Sequence, residues 1–129
     1  MRLIQGDCLN VMQDLIQEDV KVDLILTDLP YGVTANEWDN IIPFEDMWDS
    51  VNELIYDRTP IVLFATQPFT SKLVMSKLKW FRHEWIYQKR WGSNFGVVKY
   101  QPMKEHEEIV VFGRKSPNYY PIMEERKGG

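Results

Sequence analysis

The segment "LTDLPYGVTANEWD" brings together residue types that could hold an amino group. Asp28 ends an apolar run, and Leu29, Pro30 and Tyr31 follow directly. A carboxylate at a strand end can accept hydrogen bonds from an amine, proline fixes the backbone and lacks a donor, and tyrosine offers a flat face. These residues predict a slot for a planar group with an exocyclic amine. The alternative is a plain strand followed by a turn, since Asp, Pro and Gly are common in turns.

A second acidic residue, Asp7, precedes an apolar segment with helical spacing. Its carboxylate suits the N-cap of that helix. A helix start is also a polar ligand site, so the two roles are compatible. The next residue, Cys8, is the single cysteine of the chain and cannot form an internal disulfide. We set aside Cys8 as a nucleophile, because no strand-exit proline adjoins it and a lone cysteine at a helix start is more often a small packed residue.

Cations and aromatic rings alternate in the segment "KRWGSNFGVVKYQPMK". Cations suit phosphate contacts and rings suit base stacking. For any single residue the alternatives are core packing of a ring and solvation of a lysine. We expect the segment as a whole to bind DNA, through Lys89, Arg90, Trp91, Phe95, Lys99 and Lys104. His106 and Glu107, which open the last predicted strand, are expected to orient this segment rather than to move protons.

Hydrophobic periodicity places these residues on alternating strands and helices. Residues 20–28 form a nearly continuous apolar run, which predicts a strand buried on both faces in a parallel sheet. The whole pattern predicts a three-layer α/β fold with a mostly parallel sheet, flanking helices and a late antiparallel strand. Ligands of such sheets bind beyond the carboxyl ends of the strands, where Asp7 and Asp28 lie. Strands are predicted over 1–7, 20–28, 59–66, 82–89 and 106–114, and helices over 8–17, 43–56 and 67–80.

The composition is that of one globular domain. The chain has 129 residues, of which 44% are apolar and 26% charged, and we expect a single domain over 1–129 with a polar tail at 123–129. The net charge of -4 argues against a nonspecific nucleic-acid coat, although cations concentrate between residues 72 and 104. The apolar runs are too short to span a bilayer and no signal peptide is recognised, so we expect a cytoplasmic protein. Cys and His clusters of the kind that bind structural zinc are absent from the sequence.

Several motifs occur in an order that resembles a known family. "GDCLNVM", "VDLILTDLPYG", "FATQPF" and "QPMKEHEEIVVF" follow one another across nearly the whole chain. The sequence resembles the β-class DNA amino-methyltransferases, particularly the adenine-N6 enzymes of bacteria and phages, including restriction-modification enzymes. The strand-exit motif of that family is Asp-Pro-Pro-Tyr. Asp28, Pro30 and Tyr31 match it, and Leu29 replaces the first proline.

The resemblance implies a partial Rossmann-like methyltransferase fold and S-adenosylmethionine as cofactor. The substrate would be double-stranded DNA with the target base flipped out of the stack. Tyr31 would stack on that base, while Asp28 and the Leu29 carbonyl would accept hydrogen bonds from its amine and align it with the methyl group. Asp7 and Cys8 would lie near the adenosine of the cofactor, which Asp28 also borders. Trp91 and Phe95 are the best candidates in the basic segment for contacting the flipped base.

The resemblance leaves three matters open. Adenine N6 is the expected target, and cytosine N4 remains the alternative. The family's glycine-rich cofactor motif, Phe-x-Gly-x-Gly, is absent from the sequence. The strands that would accompany this motif belong between the first strand and the Asp28 strand, so their absence would expose strand edges. We therefore expect a truncated domain, a homodimer, a sheet completed by a second polypeptide, or a regulatory DNA-binding remnant.

Overall fold

The structure is a computed structural model that describes residues 1–32, 40–93, 99–102, 104–126 and 128, without the side chains of 91–93. Three α-helices and four strands alternate along these residues. The helices are α1 (Cys8–Gln17), α2 (Phe44–Leu54) and α3 (Phe69–Ser76), and a 3-10 turn follows at Leu78–Trp80. The strands are β1 (Ile25–Asp28), β2 (Ile61–Ala65), β3 (Phe81–Ser93) and β4 (Lys104–Phe112). None of the helices in these ranges is long and apolar enough to cross a membrane.

The helices begin where local chemistry favours a helix start. The Asp7 side chain caps α1 by accepting hydrogen bonds from two backbone N–H groups of its first turn. Pro43 precedes α2, whose first turn carries Glu45 and Asp46, and these carboxylates interact favourably with the positive end of the helix dipole. All three predicted helices are therefore confirmed. The third is shorter than the predicted 67–80, because its last part tightens into the 3-10 turn.

The four strands form one mixed sheet in the order β1-β2-β4-β3. Strands β1 and β2 are parallel, whereas β4 is antiparallel to both β2 and β3. The predicted α/β class with a late antiparallel element is confirmed, but the expectation of a mostly parallel sheet is corrected, since only one of the three strand pairs is parallel. Ten residues, 94–103, separate the last two strands, which is fewer than the dozen or more that a crossover between parallel strands needs, so antiparallel pairing is favoured.

One face of the sheet carries the main hydrophobic core. The inward side chains of β2 and β4 pack against the apolar stripes of α2 and α3, and residues of α1 join the same cluster. Trp48 lies at its centre, with its ring 4.8 Å from that of Phe112, edge to face, and its indole Nε1–H donates to Ser76 Oγ at 2.9 Å. Because all three helices contact this one core, the described residues form two layers rather than the predicted three.

Two predicted strands differ from the observed structure. Residues 1–7, predicted as a strand, have no strand structure. Of residues 20–28, only Ile25–Asp28 form the strand β1, and they alternate between half-buried and exposed instead of being buried on both faces. The reason is that the described helices pack on one face of the sheet, where Ile25 joins the core, whereas Leu26 lies on the opposite face and is exposed. A strand is buried on both faces only where layers cover both faces of its sheet.

The last hairpin also extends beyond its predicted bounds. Strand β3 continues through Ser93, four residues beyond its predicted end at residue 89, and pairs with β4 with register shifts near each end. Strand β4 begins at Lys104, two residues before the predicted start. Gly92 lies within β3, although glycine has a low strand propensity. Pairing with β4 stabilises the strand there, and the effect of the glycine is only local.

Candidate functional site

The segment after β1 places an acid, a buried leucine and an aromatic ring at the carboxyl end of the sheet. Asp28 is the last residue of β1 and is paired in register with Phe64 of β2. Leu29 is buried in the main core, so the backbone that follows Asp28 is anchored. The Tyr31 hydroxyl donates to Asp28 Oδ1 at 2.9 Å. The predicted association of Asp28, Leu29, Pro30 and Tyr31 at one strand exit is therefore present in the structure.

The Tyr31 ring is held by aromatic contacts from α3. Its centroid lies 5.2 Å from that of Phe69, which in turn lies 5.7 Å from Phe44. Burial raises the pKa of Tyr31 well above the usual value for tyrosine, and the hydrogen bond to Asp28 and the charges of Glu107 and Glu108 raise it further. Tyr31 is therefore a neutral hydrogen-bond donor across the physiological range.

A polar cluster lies beneath this ring where β2, β4 and α3 meet. Glu108 is only 7% exposed, and it is paired in register with Ala65 at the end of β2. The Thr70 hydroxyl donates to Glu108 Oε2 at 3.3 Å, and His106 Nε2 lies 3.7 Å from Oε1. The buried Thr66 Oγ1 has no hydrogen-bond partner within the described ranges. The Glu108 carboxylate thus contacts a hydroxyl and lies near an imidazole, and its charge acts on Tyr31.

Sequence reasoning missed Glu108, Thr70 and Phe69 as neighbours of Tyr31. The signal for Glu108 was the strand alternation, since positions 108, 110 and 112 share one face of β4 and Val110 and Phe112 are fully buried. Thr70 and Phe69 had no local signal, because their approach to Tyr31 depends on how α3 packs on the sheet. Glu107, on the other face of β4, forms an ion pair with Lys89 at 2.9 Å. Glu107 therefore contacts one cation of the predicted basic segment, and the orienting role of His106 and Glu107 stays a prediction.

At the start of α1, Asp7 and Cys8 have the local geometry of a helix cap. Asp7 Oδ1 accepts from the Leu9 N–H at 3.0 Å and from the Asn10 N–H at 3.3 Å, so its predicted capping role is confirmed. Desolvation, followed by the charge of Asp7, raises the pKa of the Cys8 thiol. A protonated thiol is a poor nucleophile, which agrees with setting aside Cys8 as an attacking group.

A cavity of about 490 Å³ brings the two predicted cofactor segments together. Its wall contains Cys8 at the start of α1 and Asp28, Leu29 and Pro30 at the end of β1. The rest of the lining comes mainly from apolar side chains of α1, β1, β2 and α2. Its volume lies in the range of small-molecule sites, which are mostly apolar with a few placed polar groups. Asp7 is not part of the described lining.

The predicted DNA-binding residues are spread over the β3–β4 hairpin. Lys89 is half-buried in its ion pair with Glu107, and Arg90 at the next position of β3 is exposed. Lys99 is exposed and Lys104 is half-buried at the start of β4. Phe95 and the side chain of Trp91 lie outside the described residues. The cations therefore share one hairpin.

Comparisons with known proteins show which fold this is. No protein-family model matches the chain, and no curated protein matches it. Among solved structures, the chain is similar to M1.HpyAVI in complex with SAM, with a TM-score of 0.69, 16% sequence identity and 94% of this chain covered. It is also similar to M1.HpyAVI without that ligand, with a TM-score of 0.68 and 17% identity. The chain spans 61% and 60% of those structures.

These similarities confirm the predicted fold. The described residues have an α/β architecture, with a mixed four-stranded sheet flanked by helices, similar to that of the M1.HpyAVI structures. At 16–17% sequence identity, the similarity shows a shared fold and does not show a shared function.

Proposed function

We propose that this chain carries the substrate-side half of a DNA methyltransferase that transfers a methyl group from S-adenosylmethionine to the N6 amine of adenine. The observation that carries this proposal is the group formed by Asp28 and Tyr31. A carboxylate oxygen and an aromatic ring are joined by a 2.9 Å hydrogen bond at the carboxyl end of a sheet strand. The shared fold with M1.HpyAVI, a DNA methyltransferase solved with SAM, supports the same reading.

The described residues fit the cofactor in part. The cavity beside Asp28 has a suitable volume and an apolar wall for an adenine ring, and Cys8 borders it at the start of α1. Asp28 is the one charged residue in the described lining of this cavity. The cofactor also carries a charged amino-acid end that needs further polar partners. When bound, it supplies an electrophilic methyl group on a sulfonium centre.

Asp28 would act on the amine of the target base. Its carboxylate accepts a hydrogen bond from the amine N–H, which orients the nitrogen lone pair toward the methyl group. As the methyl carbon–sulfur bond breaks and the carbon–nitrogen bond forms, the positive charge would pass from sulfur, left as a neutral thioether, to the amine nitrogen, and the Asp28 carboxylate would stabilise it there. The surplus proton then leaves the nitrogen through Asp28 to solvent. Most of the acceleration would come from alignment, because the transfer is an in-line displacement.

Tyr31 would supply the face against which the flipped base stacks. Its ring is fixed from behind by Phe69, so less conformational entropy is lost when a base binds. Base–aromatic stacking contributes about 1–3 kcal/mol, which offsets much of the cost of flipping a base. Arg90 and Lys99, exposed on the β3–β4 hairpin, are the candidates for contacting the DNA backbone.

The second candidate function is a DNA-binding or regulatory fragment that lacks methyl transfer. The described cavity lining favours it, because Asp28 is its one charged residue and the amino-acid end of the cofactor needs further polar partners. Cytosine-N4 methylation is the other chemical alternative, since a carboxylate acceptor suits both amines. Calorimetric titration of S-adenosylmethionine into the purified chain separates the first two candidates. Micromolar binding supports the enzyme, and the absence of binding up to about 1 mM supports the fragment.

Substitution of Asp28 tests its role directly. We expect Asp28→Asn to lower the rate of labelled methyl transfer to DNA by about 10²- to 10³-fold, the usual loss when one transition-state electrostatic contact is removed. Asp49→Asn, at an exposed position of α2, is the matched control and should retain the wild-type rate. Digestion of the labelled DNA to nucleosides then distinguishes N6-methyladenine from N4-methylcytosine. Full activity of Asp28→Asn would show that the proposed role is wrong.

A further inference from the structure

Glu108 is a buried carboxylate that the proposed methyl transfer does not use. It is 7% exposed and lies on the face of β4 that carries the fully buried Val110 and Phe112, so alternation along the strand favours an apolar residue at this position. The Thr70 hydroxyl donates to its Oε2 at 3.3 Å, and His106 Nε2 lies 3.7 Å from its Oε1. For stability alone, an apolar side chain would serve this position as well as a carboxylate.

The Glu108 carboxylate lies at the junction of β2, β4 and α3. Glu108 is paired in register with Ala65, the last residue of β2, and the carbonyl oxygen of the next residue, Thr66, accepts from the Thr70 N–H at 3.0 Å. Helix α3 begins at this point, and Pro68 before it supplies no side-chain cap. A carboxylate beside the first turn of a helix interacts favourably with the positive end of the helix dipole. Glu108 therefore holds the first turn of α3 to the sheet by a hydrogen bond and by its charge.

The same turn of α3 carries the ring that contacts Tyr31. Phe69 directly precedes Thr70, is only 3% exposed, and has its ring centroid 5.2 Å from that of Tyr31. The Tyr31 hydroxyl in turn donates to Asp28 Oδ1 at 2.9 Å. The charge of Glu108 also contributes to the raised pKa of Tyr31, which agrees with a short distance between the two groups. A continuous series of contacts thus joins Glu108 to the carboxylate that is proposed to hold the target amine.

We propose that Glu108 is a positioning residue for the ring of Tyr31. It fixes the first turn of α3 through Thr70, and this turn holds Phe69 against Tyr31. The inference rests on the proposed function, in which the target base stacks on Tyr31. A shift of α3 would move the Tyr31 ring and the base stacked on it. Methyl transfer depends on alignment, and a displacement of about 1 Å can lower a rate by up to about 100-fold.

Three variants separate positioning from a direct effect of charge. Glu108→Gln keeps an oxygen that accepts from the Thr70 hydroxyl, Glu108→Leu removes this acceptor, and Thr70→Val removes the donor. For labelled methyl transfer to unmethylated plasmid DNA, Glu108→Leu and Thr70→Val should each lower kcat about 10-fold. The KM for DNA should change by less than about twofold, because phosphate contacts supply most of the affinity. Glu108→Gln should keep most of the wild-type rate, as should the control Glu53→Leu at an exposed position of α2.

NMR of the aromatic rings measures the positioning without DNA or cofactor. Nuclear Overhauser contacts between the ring protons of Tyr31 and Phe69 should be present in the wild type and in Glu108→Gln, because the ring centroids lie 5.2 Å apart. The same contacts should be weaker or lost in Glu108→Leu and in Thr70→Val. Far-UV circular dichroism checks that each variant is folded. If Glu108→Leu does not fold, the milder Thr70→Val decides the outcome.

The two readouts distinguish failure of this proposal from failure of the proposed function. Ring contacts that stay undiminished in the folded Glu108→Leu and Thr70→Val variants would overturn the positioning role. So would equal losses of transfer in Glu108→Gln and Glu108→Leu, which would indicate that the charge acts directly, or a loss confined to the KM for DNA. A wild type that transfers no methyl group would refute the proposed function, and the NMR comparison would still decide whether Glu108 positions Tyr31.

Discussion

The hydrogen bond between Tyr31 and Asp28 gives a prediction that can be tested without substrate or cofactor. The change is Tyr31→Phe, which keeps the ring against Phe69 at its 5.2 Å spacing and removes only the hydroxyl that donates to Asp28 Oδ1. The lost contact is a 2.9 Å hydrogen bond to a carboxylate. Such bonds contribute about 1.5–3 kcal/mol when shielded from water, and we take about 0.5–1.5 kcal/mol because this pair is solvent-accessible.

The pH dependence of that loss gives a second, independent readout. The pKa of Tyr31 is raised by burial and by neighbouring carboxylates, so the folded state keeps the proton while the unfolded state releases it near pH 10. A group with a raised folded pKa contributes its full stability below the unfolded pKa, and that contribution is lost as the pH rises further. We therefore expect the stability advantage of the wild type over Tyr31→Phe to be constant from pH 7 to about 9 and to shrink above about pH 10.

The assay is urea unfolding followed by tryptophan fluorescence, at pH 7 and at several values up to about pH 11. Comparing the wild type with the variant at each pH cancels the titration of lysines and of the other tyrosines. Tyr119→Phe, which removes an exposed hydroxyl, is the control at pH 7 and should leave the free energy of unfolding unchanged within about 0.5 kcal/mol. Equal stability of Tyr31→Phe and wild type at pH 7, or a difference that grows above pH 10, would refute this account of the contact.

Two further predictions concern the elements that position the site. Asp7→Ala should lower the free energy of unfolding by about 0.5–2 kcal/mol in urea, because α1 loses its cap. Asp7→Ser keeps a capping oxygen, so its free energy of unfolding should stay within about 0.5 kcal/mol of the wild type. Equal losses in both variants would contradict the capping role. Ser76→Ala should lower the free energy of unfolding by about 1–3 kcal/mol, since it leaves the buried Trp48 Nε1–H without its acceptor. The same change in a Trp48→Phe background should lower it far less. Additive losses in this double-mutant cycle would show that the hydrogen bond does not couple the two residues.

The sequence allowed good prediction of elements that rest on local signals. The start of α1 at Cys8 follows from the cap at Asp7, and α2 follows from an apolar stripe behind Pro43. The exit of β1 at Asp28 follows from the change from apolar to turn-forming residues. These features depend on side chains within one or two turns of each other. Local chemistry was therefore sufficient for them.

The errors at β1 and at residues 1–7 involve neighbours that are distant in sequence. An apolar strand indicates burial, but whether Leu26 is buried depends on whether another layer covers its face of the sheet, and the described helices pack on the opposite face. The strand predicted over 1–7 fails for the same reason, since it pairs with none of the described strands. Glu108 reaches the vicinity of Tyr31 through the packing of β4 and α3, which periodicity within one segment does not specify.

Three contacts within the described residues fix the position of Asp28. Pairing with Phe64 sets its height in the sheet, burial of Leu29 anchors the chain after it, and Tyr31 holds one carboxylate oxygen. The methyl-transfer geometry proposed for Asp28 depends on alignment, so it should be sensitive to Tyr31→Phe, which releases that carboxylate oxygen.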